Sequence, residues 1–400
     1  ELVNAVKTNR FGFVKQACHG TVMLGVEGLR ERYSRVIVDL SEPRWVFLDT
    51  WFALSEACLY LQLVDRLDAG QLASGHSYAE LYARVRESVD ATHTEGVLKA
   101  QIIQDPSRFV DLDPELPLTL LDLKHSGKKL MLITNSEWSY TRAMLSYVLD
   151  PFLPGGMTFR ELFDLVIVGA RKPLFFEQRS QAFRIVDEEQ GLLVPHLGPL
   201  QQGGAYFGGN ARLVEQCFDL KGEEILYVGD HLYADVHVSK NVLRWRTALI
   251  TRELENELSA LEAFKPKQRQ LMAMMEEKVE LEHRFSLARI ALQRIELGYG
   301  PQVDERPKDL KQRMSTLRQE LVALDAKIGE LAREAAELGS ARWGLLMRAG
   351  NDKSRLAYQT ERYADVYTSR VSNFSLYTPF VYLRSPRGSL PHDGGTEGGT

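Results

Sequence analysis

Three clusters of polar residues each follow a short apolar run, in the order hydroxyl, ammonium, paired carboxylates. Thr134-Asn135-Ser136 follows KLMLI (129–133), Lys172 stands four residues after FDLVIV (163–168), and Gly229-Asp230 closes EILYV (224–228), with Asp235 five residues further on. Hydroxyl and amide groups can donate to phosphoryl oxygens, and an ammonium neutralises them as a compact point charge. Two hard carboxylates suit Mg²⁺, which takes oxygen ligands and keeps several waters. Each cluster alone is ordinary. Ser, Thr or Asn after a strand is most often a helix N-cap, a lysine there is usually solvated, and Asp after Gly is usually a turn. Their common order and placement make them a candidate site for a phosphate ester.

The elements that must position these residues alternate between strand and helix. KLMLI, FDLVIV, EILYV and RTALI (246–250) read as buried strands, with helical patterns between them at 115–129, ended by Gly127, and from Tyr140 to Leu149. Such alternation implies a parallel sheet with covered faces, whose ligands bind at the carboxyl ends of the strands. A helix starting after residues 134–136 would add backbone N–H groups aimed at an anion. QQGGAYFGGN (201–210) reads as a Gly-rich loop. The first sixty residues read as strands plus loops, with apolar runs at 35–40 and 45–48, leading to a helix near 54–68. Another helix runs from Ser77 to Asp90, with Leu81, Val85 and Val89 on one face.

Residues 251–340 are different in kind. Leu310, Met314, Leu317, Leu321, Leu324, Ile328, Leu331, Ala335 and Leu338 keep a 4-3 spacing, as do Leu281, Phe285, Ala288, Leu292 and Ile295. These are heptad seams separated by a turn-forming break, GYGPQVDERP (298–307), so an antiparallel helical hairpin is expected, ahead of a dimerising zipper. A homo-oligomer stays open. Residues 341–384 read as an aromatic-rich, mostly helical segment packing on the core, and 385–400 as a disordered tail.

Composition excludes several classes. With 49 Lys and Arg against 54 Asp and Glu, the net charge of −5 argues against a nucleic-acid surface. No apolar run approaches the roughly eighteen residues of a membrane span, and no signal-peptide pattern opens the sequence. Cys18, Cys58 and Cys217 are too few and too scattered for a disulfide framework or a zinc site. A cytoplasmic location is the corresponding expectation.

The order strand-Thr, strand-Lys, strand-GDxxxxD resembles motifs two, three and four of the haloacid dehalogenase (HAD) superfamily. LITNSEWSYT (132–141), ARKPLFFEQ (170–178) and ILYVGDHLYADVHVSKNVLRWRTALI (225–250) are similar to the cytosolic purine 5′-nucleotidases that prefer IMP and GMP. So are FLDTWFALSE (47–56), RVRESVDATHTEGVLK (84–99) and RYADVYTSRVSNF (362–374). The resemblance implies an α/β fold: a HAD-type, Rossmann-like parallel sheet core with an inserted cap and an added antiparallel helical hairpin. Residues 1–114 would form the cap region, 115–251 the core with motifs two to four, and 252–340 the hairpin. It implies Mg²⁺-dependent hydrolysis of purine nucleoside 5′-monophosphates through an aspartyl-phosphate, with phosphotransfer to nucleosides as an added route. Thr134, Asn135 and Ser136 would hold the phosphoryl oxygens and Lys172 would neutralise them. Asp230 would ligate Mg²⁺, supported by Asp235. Phe52 would stack on the purine, with Arg86, Asp90, His93 and Lys99 around base and sugar. Arg86, Asp90 and His93 step by four and three, which places them on one helix face.

Two departures from the family pattern stand out. HAD phosphatases open on a strand ending in DxDxT, whose first Asp is the nucleophile and second the general acid–base. In residues 1–400 only Asp111-Leu-Asp113 has that spacing, and it is followed by Pro114 and Glu115, lacks a preceding apolar strand and falls in the wrong order. The start at Glu1 and the intact downstream motifs favour a nucleophile encoded upstream, so residues 1–400 alone are expected to be inactive. The competing readings are a catalytically inactive nucleotide-binding or scaffold protein of the same fold, and a HAD phosphatase with another substrate. The second departure concerns regulation. Animal relatives line a purine-nucleotide effector site with an Arg and an Asn where this chain has Asp39 and Asp49, while Gln359 and Tyr363 match. Two carboxylates facing a polyphosphate repel it. Activation by millimolar ATP is therefore expected to be weak or absent, and a several-fold rise in turnover on ATP addition would contradict this.

Overall fold

The computed structural model describes residues 4–48, 50, 53–72, 75–94, 96–340, 342–350 and 352–381. The chain divides into two compact units, residues 1–253 with 355–400, and residues 254–354. The tail expected at 385–400 lies outside the described residues.

In the first unit, β1 (Ala5–Thr8), β2 (Val14–His19) and β3 (Val22–Met23) form an antiparallel meander, followed by α1 (Val26–Tyr33). The apolar runs at 35–40 and 45–48 are not strands. Ile37 makes an isolated bridge to Phe13, and the chain then turns at Asp39, whose carboxylate accepts from the Ser41 N–H at 2.9 Å. Val38 is nonetheless buried against Val14 and Ala17. Three helices come next: α2 (Ala53–Asp68), α3 (Tyr78–Thr94) and α4 (Val97–Gln104). The i, i+4 spacing of Leu81 and Val85 buries both of them.

From α5 (Glu115–His125) the chain alternates as expected, and Gly127 takes the left-handed turn, φ 91°, that ends this helix. There follow β4 (Met131–Ile133), α6 (Trp138–Val148), α7 (Phe159–Leu162), β5 (Leu165–Val168) and α8 (Leu174–Glu177). The next elements are β6 (Ala182–Asp187), β7 (Leu192–Pro195), β8 (Ala205–Gly208), α9 (Ala211–Phe218), β9 (Leu226–Gly229), α10 (Val238–Leu243) and β10 (Arg246–Ile250). The Gly-rich stretch 201–210 therefore contains a strand, β8, in addition to its turns.

The single parallel sheet expected from this alternation is replaced by two. One has the order β4-β5-β8-β6-β7, with β4, β5 and β8 parallel and the β6–β7 hairpin antiparallel to them. The other has β10 at its centre, parallel to β9 on one side and to the C-terminal strand on the other. One core nevertheless serves both. Leu165, Ile167, Phe175, Phe176 and Tyr206 pack with Tyr227 and Trp245, and Met131 and Ile133 join them. Burying an aliphatic or aromatic side chain of this kind contributes roughly 1.5–3 kcal/mol. Trp245 donates its indole N–H to Glu215 at 2.8 Å, so its one polar atom is satisfied. β5 is wholly buried, whereas β4 is only half-buried, because among the described residues it pairs with β5 alone. β9 likewise pairs only with β10, and Leu226 and Val228 remain 41% and 37% exposed.

In the second unit, α11 (Leu254–Leu297) and α12 (Pro307–Ala336) form the expected hairpin. Ion pairs Lys267–Glu334, Lys278–Asp325 and Glu296–Lys311 match residues that descend along one helix as they rise along the other, so the helices are antiparallel. Leu281, Ala288, Leu310, Leu317 and Leu324 are buried in the seam. Gly298 and Gly300, with φ of 69° and 76°, turn the chain. A short ladder, β11 (Arg348–Ala349) with β12 (Asp352–Lys353), completes the unit.

The segment expected to be mostly helical from 341 to 384 is divided. Residues up to 354 group with the hairpin, and among the described residues only α13 (Arg355–Tyr363) is a regular α-helix in the part that rejoins the first unit. Its successor, β13 (Val366–Thr368), is a strand that pairs with β10 through Ala248↔Val366 to Ile250↔Thr368. Asp365 fixes this return. It accepts from the Thr247 N–H at 2.9 Å and pairs with Lys240 at 3.1 Å.

Candidate active site

Thr134, Lys172 and Asp230 follow the carboxyl ends of three strands, β4 and β5, which are parallel neighbours in one sheet, and β9 of the other. The loops after β4 and β5 are bound to one another. Strand pairing ends at Ile133↔Ile167, and the ladder continues as Thr134 N–H to the Ile167 carbonyl at 2.9 Å and Ala170 N–H to the Thr134 carbonyl at 3.0 Å. Asn135 then clasps Lys172. Its Oδ1 accepts from the Lys172 N–H at 2.6 Å and its Nδ2 donates to the Lys172 carbonyl at 3.2 Å. Thr134 Oγ1 accepts from the Ser136 N–H at 3.1 Å. Asn135 is therefore committed to positioning Lys172, and the Thr134 hydroxyl proton is not donated to any described residue.

Gly169 makes the exit from β5 possible. Its φ is 55°, and a Cβ there would come within 2.2 Å of the Phe207 ring. The Lys172–Pro173 peptide that follows is cis.

The Lys172 ammonium reaches Asp235, with Nζ 2.9 Å from Oδ1, and the two side chains are only 15% and 5% exposed. Asp235 sits on a π-helical turn, Leu232–His237, that follows β9. The wider turn brings its carboxylate back over the strand. It accepts from the His231 N–H at 3.3 Å and from the Tyr227 hydroxyl at 3.4 Å. Gly229 must be glycine for this return, since a Cβ would lie 2.6 Å from the Asp235 Cβ. His231 Nδ1 accepts from the Ala234 N–H at 3.1 Å and so caps the turn.

The electrostatics follow from burial. Asp230 keeps an exposed face, yet partial desolvation by the surrounding atoms first, and the Asp235 charge second, push its carboxyl above its ordinary 3.8, while a backbone hydrogen bond, Lys172 and His231 act in the opposite direction. Burial followed by Asp235 drives the Tyr227 phenol well above its ordinary 10. The resulting arrangement has an ammonium paired with one carboxylate, Asp235, and a second carboxylate, Asp230, whose charge a cation would stabilise. Among the described residues no group of three or more His, Cys, Asp or Glu could hold a metal. Mg²⁺ needs only one or two carboxylates when phosphate and water complete its shell. Asp230 and Asp235 fit that requirement, with Asp230 the one whose charge is less compensated.

The helical residues expected around the nucleoside are placed unequally. Lys99, on α4, meets the loop after β4: its Nζ is 2.7 Å from Glu137 Oε2 and 5.5 Å from the centre of the Tyr140 ring. Arg86 turns to its helical neighbours, 3.7 Å from Glu56 and 3.9 Å from Asp90. His93 is on α3, but its side chain is outside the described residues, as are Phe52 and Asp49. Asp39 is described. Its carboxyl is held below the ordinary range chiefly by the Ser41 N–H and hydroxyl, with a smaller contribution from Arg355, so it stays ionised. Glu137, Tyr227 and the clasping role of Asn135 were not legible from residue types. The only prior signal was their adjacency to the three motifs.

The sequence profile of the 5′ nucleotidase family matches residues 1–395. A 5′-nucleotidase domain-containing protein of Dictyostelium discoideum is 28% identical over 347 residues, covering 86% of this chain and 53% of its own length. Human 5′-nucleotidase domain-containing protein 2 is 34% identical over 218 residues, covering 53% of this chain and 39% of its own. The matches thus span about half the length of these relatives or less.

Two outcomes follow from the geometry. Lys172→Met leaves Asp235 buried without its cation and is expected to cost about 3–5 kcal/mol in urea unfolding, while adding Asp235→Asn should recover more than half of that loss. For Asp230, the folded pKa lies above the unfolded value, so its ionisation destabilises the fold as pH rises through and beyond 3.8. In metal-free protein Asp230→Asn should raise the melting temperature at pH 7, and the gain should vanish below about pH 3.8.

Proposed function

We propose, proceeding from the fact that the chain belongs to the 5′ nucleotidase family, that it forms the phosphate- and nucleoside-binding part of a Mg²⁺-dependent hydrolase of purine nucleoside 5′-monophosphates of the IMP and GMP type. The observation that carries this reading is the buried Lys172–Asp235 pair beside Asp230, at the ends of parallel strands. A HAD-type core accounts for that placement.

In this reading Lys172 neutralises the phosphoryl oxygens at the position Asn135 and Asp235 hold it in, so its charge needs no reorganisation when the ester binds. The Thr134 hydroxyl donates to one of those oxygens. Asp230, with Asp235 behind it, would hold Mg²⁺, which when bound supplies charge neutralisation at the phosphate. Lys99 approaches the same loop from α4 and lies on the nucleoside side. Phosphoryl transfer asks the protein mainly for positioning and charge, and this set offers both.

The nucleophilic carboxylate and its acid–base partner are assigned to a segment outside residues 1–400. The edges of β4 and β9, each paired on one side only among the described residues and each leading directly to a candidate site residue, are where such a segment would enter as a strand. Hydrolysis would then pass through an aspartyl-phosphate on that segment, and a nucleoside could replace water as acceptor. A binding or scaffold protein of the same fold is the second reading, favoured by the absence of any DxDxT in residues 1–400.

Phosphate release from IMP and GMP with Mg²⁺, measured on the protein carrying its upstream coding sequence, separates the two. Turnover is expected, and Lys172→Ala should lower kcat on the order of 10²–10³-fold. Binding of IMP with no release would instead support the second reading. Release unaffected by Lys172→Ala would remove the proposed site.

A further inference from the structure

The face of α11 opposite its seam with α12 carries a second apolar row. Met272, Val279, Ile290 and Leu297 are 55%, 63%, 41% and 70% exposed. At about 100° per residue they lie roughly 170° around the helix from the buried seam positions Leu281 and Ala288. The hairpin partner α12 therefore cannot cover them. Like a coiled-coil seam, the row repeats at intervals of seven and eleven residues, so it stays on one stripe along the second half of the helix.

The charges flanking the row are arranged asymmetrically. Glu276 and Glu282 lie toward its start, Arg289 and Arg294 toward its end, all on exposed or half-exposed positions. Among the described residues Glu282 has a 3.8 Å contact to Lys278, and Arg294 is half-buried, its Nε shielded from solvent and without a hydrogen-bond partner. A parallel, in-register copy would stack each of these charges on its own kind. An antiparallel copy related by a two-fold axis beside residues 284–286 does the reverse. It sets Met272 against Leu297, Val279 against Ile290, Glu276 against Arg294 and Glu282 against Arg289. Helical geometry puts Glu276 and Arg294 on one flank of the row and Glu282 and Arg289 on the other, as an antiparallel pairing requires. Two-fold symmetry makes every one of these contacts twice.

We propose that this face of α11 is the docking surface for α11 of a second copy of the chain, in antiparallel register, so that two hairpins join side by side. One register satisfies the apolar row and both charge pairs at once, and that self-complementarity identifies the occupant as the same chain.

Sedimentation velocity and light scattering on the full chain at micromolar concentration test this. The unmodified chain is expected to be a dimer. Glu276→Arg/Glu282→Arg and Arg289→Glu/Arg294→Glu should each weaken self-association on the order of 100-fold, through like-charge contacts. Their equimolar mixture should dimerise again, because one chain then presents only basic and the other only acidic flanks. As a second readout independent of the charge changes, Met272→Cys/Leu297→Cys should form a covalent dimer on oxidation, and Met272→Cys alone should not. A monomeric unmodified chain, dimers that persist in both charge variants, or a mixture of the two charge variants that stays monomeric would each overturn the proposal.

Discussion

A buried ammonium–carboxylate contact, Lys172 to Asp235, governs how the strand ends are built. Neither charge can be desolvated alone at tolerable cost, so each of the two segments that carry them must deliver its partner to within contact. Much of the local architecture follows from that requirement. Gly229 lacks a side chain because Asp235 returns over it, and the turn after β9 widens to make the return. Gly169 adopts a left-handed conformation because the chain must leave β5 tightly against Phe207 before reaching Lys172. Asn135 spends both ends of its amide on the Lys172 backbone, which fixes where the lysine stem begins. The contact also joins the two sheets, since Lys172 follows β5 of one and Asp235 follows β9 of the other.

The strands that carry these groups were legible because each is a short β-rich run ended by polar or glycine residues, a pattern that needs no partner to be recognised. What the pattern does not contain is pairing. KLMLI reads as buried from its composition, yet β4 is half-buried because it has one neighbour. AYFG hides between glycine pairs and reads as loop, although β5 and β6 on either side turn it into the interior strand β8. RVIVDL errs in the other direction: strongly β-prone, it makes a single bridge, Ile37 to Phe13, and contributes Val38 to a core without extending a sheet. β13 was read as helix for a similar reason, since its three residues are defined by β10 and not by any periodicity of their own.

Within the site, residue type was informative and bonding was not. Thr, Lys and two Asp after successive strands suggested phosphate chemistry, but the same residues gave no sign that Asn135 faces Lys172, or that Lys99 meets Glu137. Those contacts depend on the register of β4 against β5 and on the packing of α4 near α6, both long-range facts. The hairpin shows the same division. Its inner seam was visible as an unbroken 4-3 repeat. The outer row of α11 was not, because polar residues such as Glu276, His283 and Gln293 interrupt it, and it emerges only when the buried face has been identified and removed from the count.

The unpaired edges of β4 and β9 carry a further implication for the site. Protein edges are normally protected by charge, proline, bulges or a covering element. β9 instead presents Leu226 and Val228 with substantial exposure, and β4 is the uncharged run Met131–Ile133. Such edges are suited to accepting a strand. On the proposed reading, the strand that would occupy them is also the one that brings the nucleophile, so completing the sheet and completing the catalytic set become one event. On that reading Asp230, exposed just past the end of β9, stands where a cation and a phosphate would meet the arriving carboxylate.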